Sequence, residues 1–183
     1  MQNKQTKILP ELYDIMKFSS SLWPNASLQA KRKMARMYYV WVFGETNIQT
    51  NLMSESLWNG VEDEKGNKIK PCADHVFIPQ FCGYMILDNP EVFIHEDEDL
   101  FWEMYNWNRY VIHVTSKENK VLSSFSWKKD NLVKCSMYER YEKANITLAL
   151  KGHGILENQK EYFPKPPKEF LEIEKKYILR EKK

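Results

Sequence analysis

The 183-residue sequence has little cysteine and no long apolar run. Its three cysteines, Cys72, Cys82 and Cys135, are an odd number without CxxC spacing, which argues against a disulfide framework and a structural zinc site. No apolar stretch approaches the ~20 residues that span a bilayer, and the first residues lack the apolar core of a signal peptide. We therefore expect a soluble, cytoplasmic protein with reduced thiols and no membrane association.

The sequence also lacks an excess of charge of one sign, internal repeats and low-complexity tracts. Lys and Arg total 27 and Asp and Glu total 25, so the formal net charge is only +2. If the protein binds a polyanion, its positive charge must be gathered on one face. The composition is 43% hydrophobic, with six Trp, ten Tyr and nine Phe, which is typical of one globular domain with a sizeable core.

The first part of the chain, residues 1–54, is predicted to contain two helices. Apolar residues recur at helical spacing from Ile8 to Phe18, and a loop follows. Ser27 is a good N-cap for a second helix that ends at Gly44. The front of this second helix carries a basic cluster of Lys31, Arg32, Lys33 and Arg36. The cluster is interpreted either as a solvated helix face or as a surface that contacts phosphates.

A β-hairpin is predicted at the start of the middle part, residues 55–130. Residues 56–61 lead into a polar turn, and residues 68–77 form the returning strand. The returning strand carries an adjacent acid and imidazole, Asp74 and His75. Asp74 offers an oxygen ligand for a divalent cation, and His75, on the opposite face, can take a proton from water. The alternative is a buried Asp-His pair in a structural role.

Residues 78–98 are predicted to be irregular, because they contain Gly83, an Asp-Asn-Pro sequence and an acidic run. A helix is predicted over residues 100–105, with Asp99 as its cap. The β-branched run Tyr110–Val114 is then predicted to be a strand.

A capping box of Thr115 and Glu118 predicts that this strand turns directly into a helix that continues towards Trp127. Asn119 is held rigidly in the first turn of that helix. The last part, residues 131–183, is predicted to be an extension in which residues 134–141 are either strand or helix, with a final helix over residues 168–181.

This combination resembles the ββα-metal, or HNH, nuclease motif: an Asp-His pair on a hairpin, a loop, a strand and then a helix with Asn119 in its first turn. The resemblance covers residues 55–127. Three features depart from the family pattern. Asp74 to Pro79 contains one extra residue before the proline, His75 and Asn119 are 44 residues apart, and the zinc-binding cysteine pairs of many members are absent. For the middle Asn of the pattern we prefer Asn108 over Asn89.

The resemblance implies an α+β fold, a single domain with a central ββα-metal motif (β-hairpin plus helix) flanked by N-terminal and C-terminal helices. It implies a metal-dependent DNA endonuclease of the restriction or phage type. His75 would be the general base, and Asp74 and Asn119 would hold Mg²⁺ or Mn²⁺ in a cleft that His75 also faces. Asn108 would hold a loop carbonyl or the His75 ring.

The implied partner is double-stranded DNA, and a homodimer is one arrangement open to an enzyme that cuts both strands. The phosphates of the DNA would contact Arg109, Lys117 and Lys120 together with the basic cluster. A second interpretation is a non-enzymatic nucleic-acid- or protein-binding module in which Asp74 and His75 are structural. A third is a nuclease that acts on RNA. His113 is predicted to be replaceable.

Overall fold

The computed structural model of the protein describes residues 9–96, 98–125 and 133–178. The five strands of its sheet lie in the order β2-β3-β1-β4-β5. They are β1 (Ile48–Ser54), β2 (Cys72–His75), β3 (Tyr110–Val114), β4 (Leu148–Leu150) and β5 (Gly154–Ile155). The helices are α1 (Leu9–Leu22), α2 (Leu28–Gly44), α3 (Glu55–Trp58), α4 (Pro79–Asp88), α5 (Glu98–Asn108), α6 (Ser116–Ser123), α7 (Met137–Lys143) and α8 (Lys168–Glu174).

The sheet draws its strands from all three parts of the chain. β1 runs parallel to β3 and antiparallel to β4, while β2 runs antiparallel to β3 and forms one edge of the sheet. Helices and strands therefore form one mixed α+β domain, as predicted. None of the helices in the described ranges has both the length and the apolar character needed to cross a bilayer.

The predicted hairpin partner of the Asp-His strand is wrong. Residues 55–58 form α3, and the polar turn after it contains only one bridge, between Glu62 and Lys68. β2 pairs instead with β3, so that Cys72 lies opposite Val114 and His75 opposite Val111. The physical reason is burial: Val111 and Val114 are buried, whereas residues 61–68 are exposed and give a strand nothing to pack against.

The prediction of an irregular segment over residues 78–98 is also wrong, because this segment contains α4 and a π-helical turn (Glu91–His95). Nearly every residue of α4 is buried, so its sequence lacks the alternation of apolar and polar residues that marks a surface helix. Gly83 suggested a loop, yet it is a packing residue. A Cβ at this position would lie 2.7 Å from the Tyr38 Cβ and 2.8 Å from the Ala35 carbonyl oxygen of α2.

The helix starts predicted from capping residues are confirmed. The Ser27 hydroxyl accepts a hydrogen bond from the Ala30 N–H (3.3 Å) at the start of α2. At the start of α6, the Thr115 hydroxyl accepts from the Glu118 N–H (3.1 Å), and the Glu118 carboxylate accepts from the Thr115 N–H (2.7 Å).

Other helix boundaries differ from the predictions. α1 runs beyond Phe18 to Leu22, and within its last turn the Ser20 and Ser21 hydroxyls donate back to carbonyl groups three residues earlier (2.7 Å each). α5 begins at Glu98, so Asp99 lies inside its first turn. α6 ends at Ser123, and the predicted continuation to Trp127 lies outside the described residues. The end of the predicted helix over residues 168–181 lies partly outside them as well.

Candidate functional site

Asp74 lies in a buried polar cluster at the end of β2. Arg140 Nη2 and the Tyr141 hydroxyl, both from α7, donate hydrogen bonds to Asp74 Oδ2. Only 11% of the Asp74 side chain and 7% of the Arg140 side chain are exposed. Arg140 Nη2 also donates to the His75 carbonyl oxygen (2.8 Å), so one guanidinium fastens two successive residues of β2 to α7. We call Asp74, His75, Arg140 and Tyr141 the β2 cluster.

The β2 cluster perturbs the ionisation of its own members. Burial raises the pKa of the Asp74 carboxyl group, although Arg140 and Tyr141 act in the opposite direction. Burial alone would lower the pKa of Arg140, but Asp74, Tyr141 and Cys135 together more than offset it, and the pKa is raised. Burial and Asp74 raise the pKa of Tyr141 well above its ordinary value, so its phenol stays protonated and can donate to the carboxylate.

A local sequence signal fixes α7, which carries the two partners of Asp74. The Ser136 hydroxyl accepts from the Glu139 N–H (3.4 Å), and the Glu139 carboxylate accepts from the Ser136 N–H (3.3 Å). This capping box starts α7, and Arg140 and Tyr141 follow directly after its last member. The Ser-x-x-Glu pattern therefore resolves the alternative of strand or helix in favour of helix.

His75 faces the other side of β2 from Asp74, because side chains alternate along a strand. Its ring packs against Phe43 at the end of α2, with ring centroids 4.6 Å apart and planes tilted by 36°. Burial and the nearby Arg140 charge lower the pKa of His75 to about 4, so the imidazole is neutral at pH 7. Its Nε2 atom is buried and has no hydrogen-bond partner among the described residues.

Asn108 fastens the chain just beyond His75. Its Nδ2 group donates to the Phe77 carbonyl oxygen (3.0 Å), and the residue is fully buried. The structure thus brings Asn108 to a loop carbonyl, one of the two contacts expected of it. The alternative residue, Asn89, lies elsewhere: it ends α4 and donates to the Met85 carbonyl and the Tyr177 hydroxyl (2.9 Å each).

Asn119 and Asp74 are not joined by a hydrogen bond, although the structure describes both. Asn119 is half-buried in α6, where its carbonyl accepts from the Ser123 hydroxyl (2.8 Å). α6 begins beside the far end of β2 from His75, with Ser116 Oγ 3.4 Å from Cys72 Sγ. The His75 and Asp74 side chains contact different helices, since Phe43 of α2 packs against His75 whereas α7 donates hydrogen bonds to Asp74.

The hydrogen bonds of Asp74 weigh against its use as a ligand for a divalent ion. A metal ligand must offer a free lone pair to a cation. Oδ2 of Asp74 already accepts two hydrogen bonds, one of them from a cationic guanidinium. Across residues 9–96, 98–125 and 133–178, no cluster of three or more His, Cys, Asp or Glu side chains could hold a metal ion.

The residues predicted to contact phosphates fall into two groups. Lys33 and Arg36 on α2 and Lys117 and Lys120 on α6 are exposed. The others are engaged in the fold. Lys31 lies over the Trp23 ring (5.1 Å), Arg32 is half-buried, and Arg109 donates to the Thr46 carbonyl (2.7 Å) and the Asn106 side chain (3.2 Å). Only the first group is available to a polyanion without a local rearrangement.

Sequence reasoning missed three residues of the site. The capping box of α7 could have placed Arg140 and Tyr141 on a helix, but nothing local pairs them with a carboxylate 66 and 67 positions away. The third is Phe43, which lies within the predicted helix ending at Gly44. Its contact with His75 depends on how α2 crosses the sheet.

Comparisons of the chain with family models, with curated proteins and with solved structures find no match.

Proposed function

We propose that the protein is an endonuclease that hydrolyses phosphodiester bonds of nucleic acid, with His75 as the general base. The observation that carries this proposal is the state of the imidazole. It is neutral, its Nε2 has no hydrogen-bond partner among the described residues, and Asn108 fastens the chain two residues further on. A general base must be unprotonated, and the neutral imidazole meets this condition, although its lowered pKa makes it a weaker base than an ordinary histidine.

The order of elements adds support. β2 and β3 are antiparallel neighbours, and α6 with Asn119 follows β3 directly. Two strands and a helix therefore succeed one another as in the nuclease motif that the sequence resembles, with α4, the π-helical turn and α5 inserted between the strands.

In the proposed reaction, His75 Nε2 takes a proton from a water molecule and the resulting hydroxide attacks the phosphorus. The bond from phosphorus to the 3′ oxygen breaks, and that oxygen takes a proton from solvent. Phe43 lies over the imidazole but is 53% exposed, so a change of its rotamer can open His75 to the substrate. Lys33 and Arg36, exposed on the helix that carries Phe43, supply positive charge for the phosphates.

Asp74 has a different role in this proposal from the one that the resemblance implies. Because it is paired with Arg140 and Tyr141, we assign it the task of fixing β2 against α7, and no step passes through a metal. A requirement for Mg²⁺ or Mn²⁺, double-stranded DNA as the substrate and a homodimer stay predictions of the resemblance.

The same pairing agrees with a second candidate, a non-enzymatic nucleic-acid- or protein-binding module in which Asp74 is structural. A buried ion pair needs no catalytic explanation, because neighbouring elements are often fastened in this way.

A cleavage assay separates the two candidates. Supercoiled plasmid, single-stranded DNA and RNA are each incubated with the protein in Mg²⁺, Mn²⁺ or EDTA, and binding is followed in parallel by gel shift. We expect nicked, linear or shortened products, and the EDTA reaction tells whether a divalent ion is required. Intact substrates under every condition, together with a gel shift, would select the binding module.

A further inference from the structure

The outer face of α2 has an unusual composition for a surface helix. Three of its apolar side chains are exposed to solvent: Met37 by 36%, Val40 by 57% and Phe43 by 53%. They lie at helical spacing on one stripe with two exposed cations, Lys33 and Arg36. Exposed apolar groups that are contiguous and bordered by charge mark a binding surface more often than scattered ones do. We call these five residues the α2 stripe.

The charge of α2 is of one sign. Its 17 residues include four basic and no acidic side chains, and the first carboxylate after it is the C-cap residue Glu45. Two of the basic residues, Lys31 and Arg32, are half-buried. Lys33 and Arg36 therefore give the α2 stripe its positive end. Arg36 precedes Phe43 by seven residues, which places them about 10 Å apart along the helix axis on the same face.

Phe43 packs against two other rings. Its centroid lies 4.4 Å from that of Tyr39 and 4.6 Å from that of His75, and both pairs are tilted by 36°. Tyr39 is one helical turn earlier, while His75 comes from β2. The ring of Phe43 is 53% exposed, so its uncovered surface can accept another flat group.

We propose that the α2 stripe binds single-stranded nucleic acid, with one unpaired base stacked on Phe43 and backbone phosphates at Arg36 and Lys33. Aromatic faces beside cations are the means by which proteins hold unpaired strands without reading their sequence. A duplex cannot use Phe43 in this way because its base faces are already stacked. An apolar helix of a partner protein would contact Met37 and Val40 but would leave the two cations without a counterpart.

This inference deepens the proposed function, since it places an unpaired strand next to His75, but its test does not depend on cleavage. Fluorescence anisotropy in EDTA measures the affinity for a labelled single-stranded oligonucleotide, for its duplex and for an oligonucleotide of abasic sites. Phe43→Leu is compared with Phe18→Leu, which changes a phenylalanine on α1 that is 67% exposed. Circular dichroism checks that both variants keep the helices.

We expect Phe43→Leu to weaken single-strand binding roughly 5- to 100-fold, the effect of losing one base–aromatic stack. Phe18→Leu should bind the single strand as tightly as the unchanged protein does. For the abasic oligonucleotide, which has no base to stack, Phe43→Leu should have the same affinity as the unchanged protein. Arg36→Gln should lower the slope of log affinity against log salt by about 0.7. The proposal is overturned if Phe43→Leu binds the single strand normally, or if it weakens binding to the abasic oligonucleotide and the duplex equally. If the protein cleaves nucleic acid but does not show this binding pattern, the proposal for the α2 stripe is overturned and the proposed nuclease function is not.

Discussion

Replacing Arg140 by leucine is expected to lower the free energy of unfolding by about 3 to 5 kcal/mol. The change removes the cation from the buried Asp74 carboxylate and the donor from the His75 carbonyl, and leaves both without compensation. The measurement is urea unfolding followed by tryptophan fluorescence. Arg36→Leu is the matched control, because Arg36 is exposed, and it should change stability by less than about 0.5 kcal/mol.

The Asp74→Leu variant and the double variant complete this test. If Asp74 and Arg140 form an ion pair, the two single variants should together lose more free energy of unfolding than the double variant loses. The reason is that each single change leaves a buried charge without its partner. The metal-ligand interpretation of Asp74 makes the opposite prediction, that its replacement costs little stability. Additive and small effects would show that Asp74 and Arg140 act separately, which would leave the carboxylate free for an ion.

Replacing His75 by glutamine is expected to slow cleavage by about 10²- to 10⁴-fold, the usual contribution of a general base. Glutamine keeps a polar side chain of similar reach beneath Phe43 but cannot take a proton at neutral pH. Initial rates on the substrate found in the cleavage assay give the comparison, and a thermal melt checks folding.

His113→Gln is the control for this change. His113 lies on the same face of the sheet, opposite Ala73 and Met53, and is half-buried. Its replacement should alter the rate only modestly. Normal cleavage by a well-folded His75→Gln protein would remove His75 from the mechanism, and a complete loss with His113→Gln would indicate that the other histidine is the base.

The elements that the sequence predicted well are those with local determinants. Ser27 begins α2, and Thr115 with Glu118 begins α6, because a capping residue and its partner are three positions apart and need no tertiary information. β3 follows from its own β-branched run. For the same reason, the Ser136–Glu139 capping box held the information that α7 is a helix.

The elements that were mispredicted depend on distant contacts. β2 pairs with β3 across 30 or more residues, whereas the polar turn of residues 62–67 suggested a partner next to it. Gly83 is a turn residue by local rules, and only the approach of Tyr38 reveals it as a packing position. The pairing of Asp74 with Arg140 is equally remote in sequence, so the chemistry predicted for Asp74 assumed a free carboxylate.

The site was predicted in part for the same reason. The contact between Asn108 and the Phe77 carbonyl lies where the strand-and-helix pattern suggested a positioning residue. The sequence also singled out His75, but its low pKa arises from burial under α2 and from Arg140, which no local pattern contains. Tertiary contacts likewise decide which basic residues are available to phosphates. Lys33 and Arg36 are exposed, whereas Arg109 donates to the Thr46 carbonyl.

The pH dependence of kcat/KM for cleavage tests most directly whether a neutral, buried His75 is the base. This ratio reports the ionisation of the free enzyme. Because burial and Arg140 lower the pKa of His75 to about 4 from its ordinary 6.5, the rate should stay level as the pH falls through 6.5 and should decline only near pH 4. The decline should be absent from the residual activity of His75→Gln. An inflection near 6.5 that persists in His75→Gln, or no cleavage at any pH, would contradict the account.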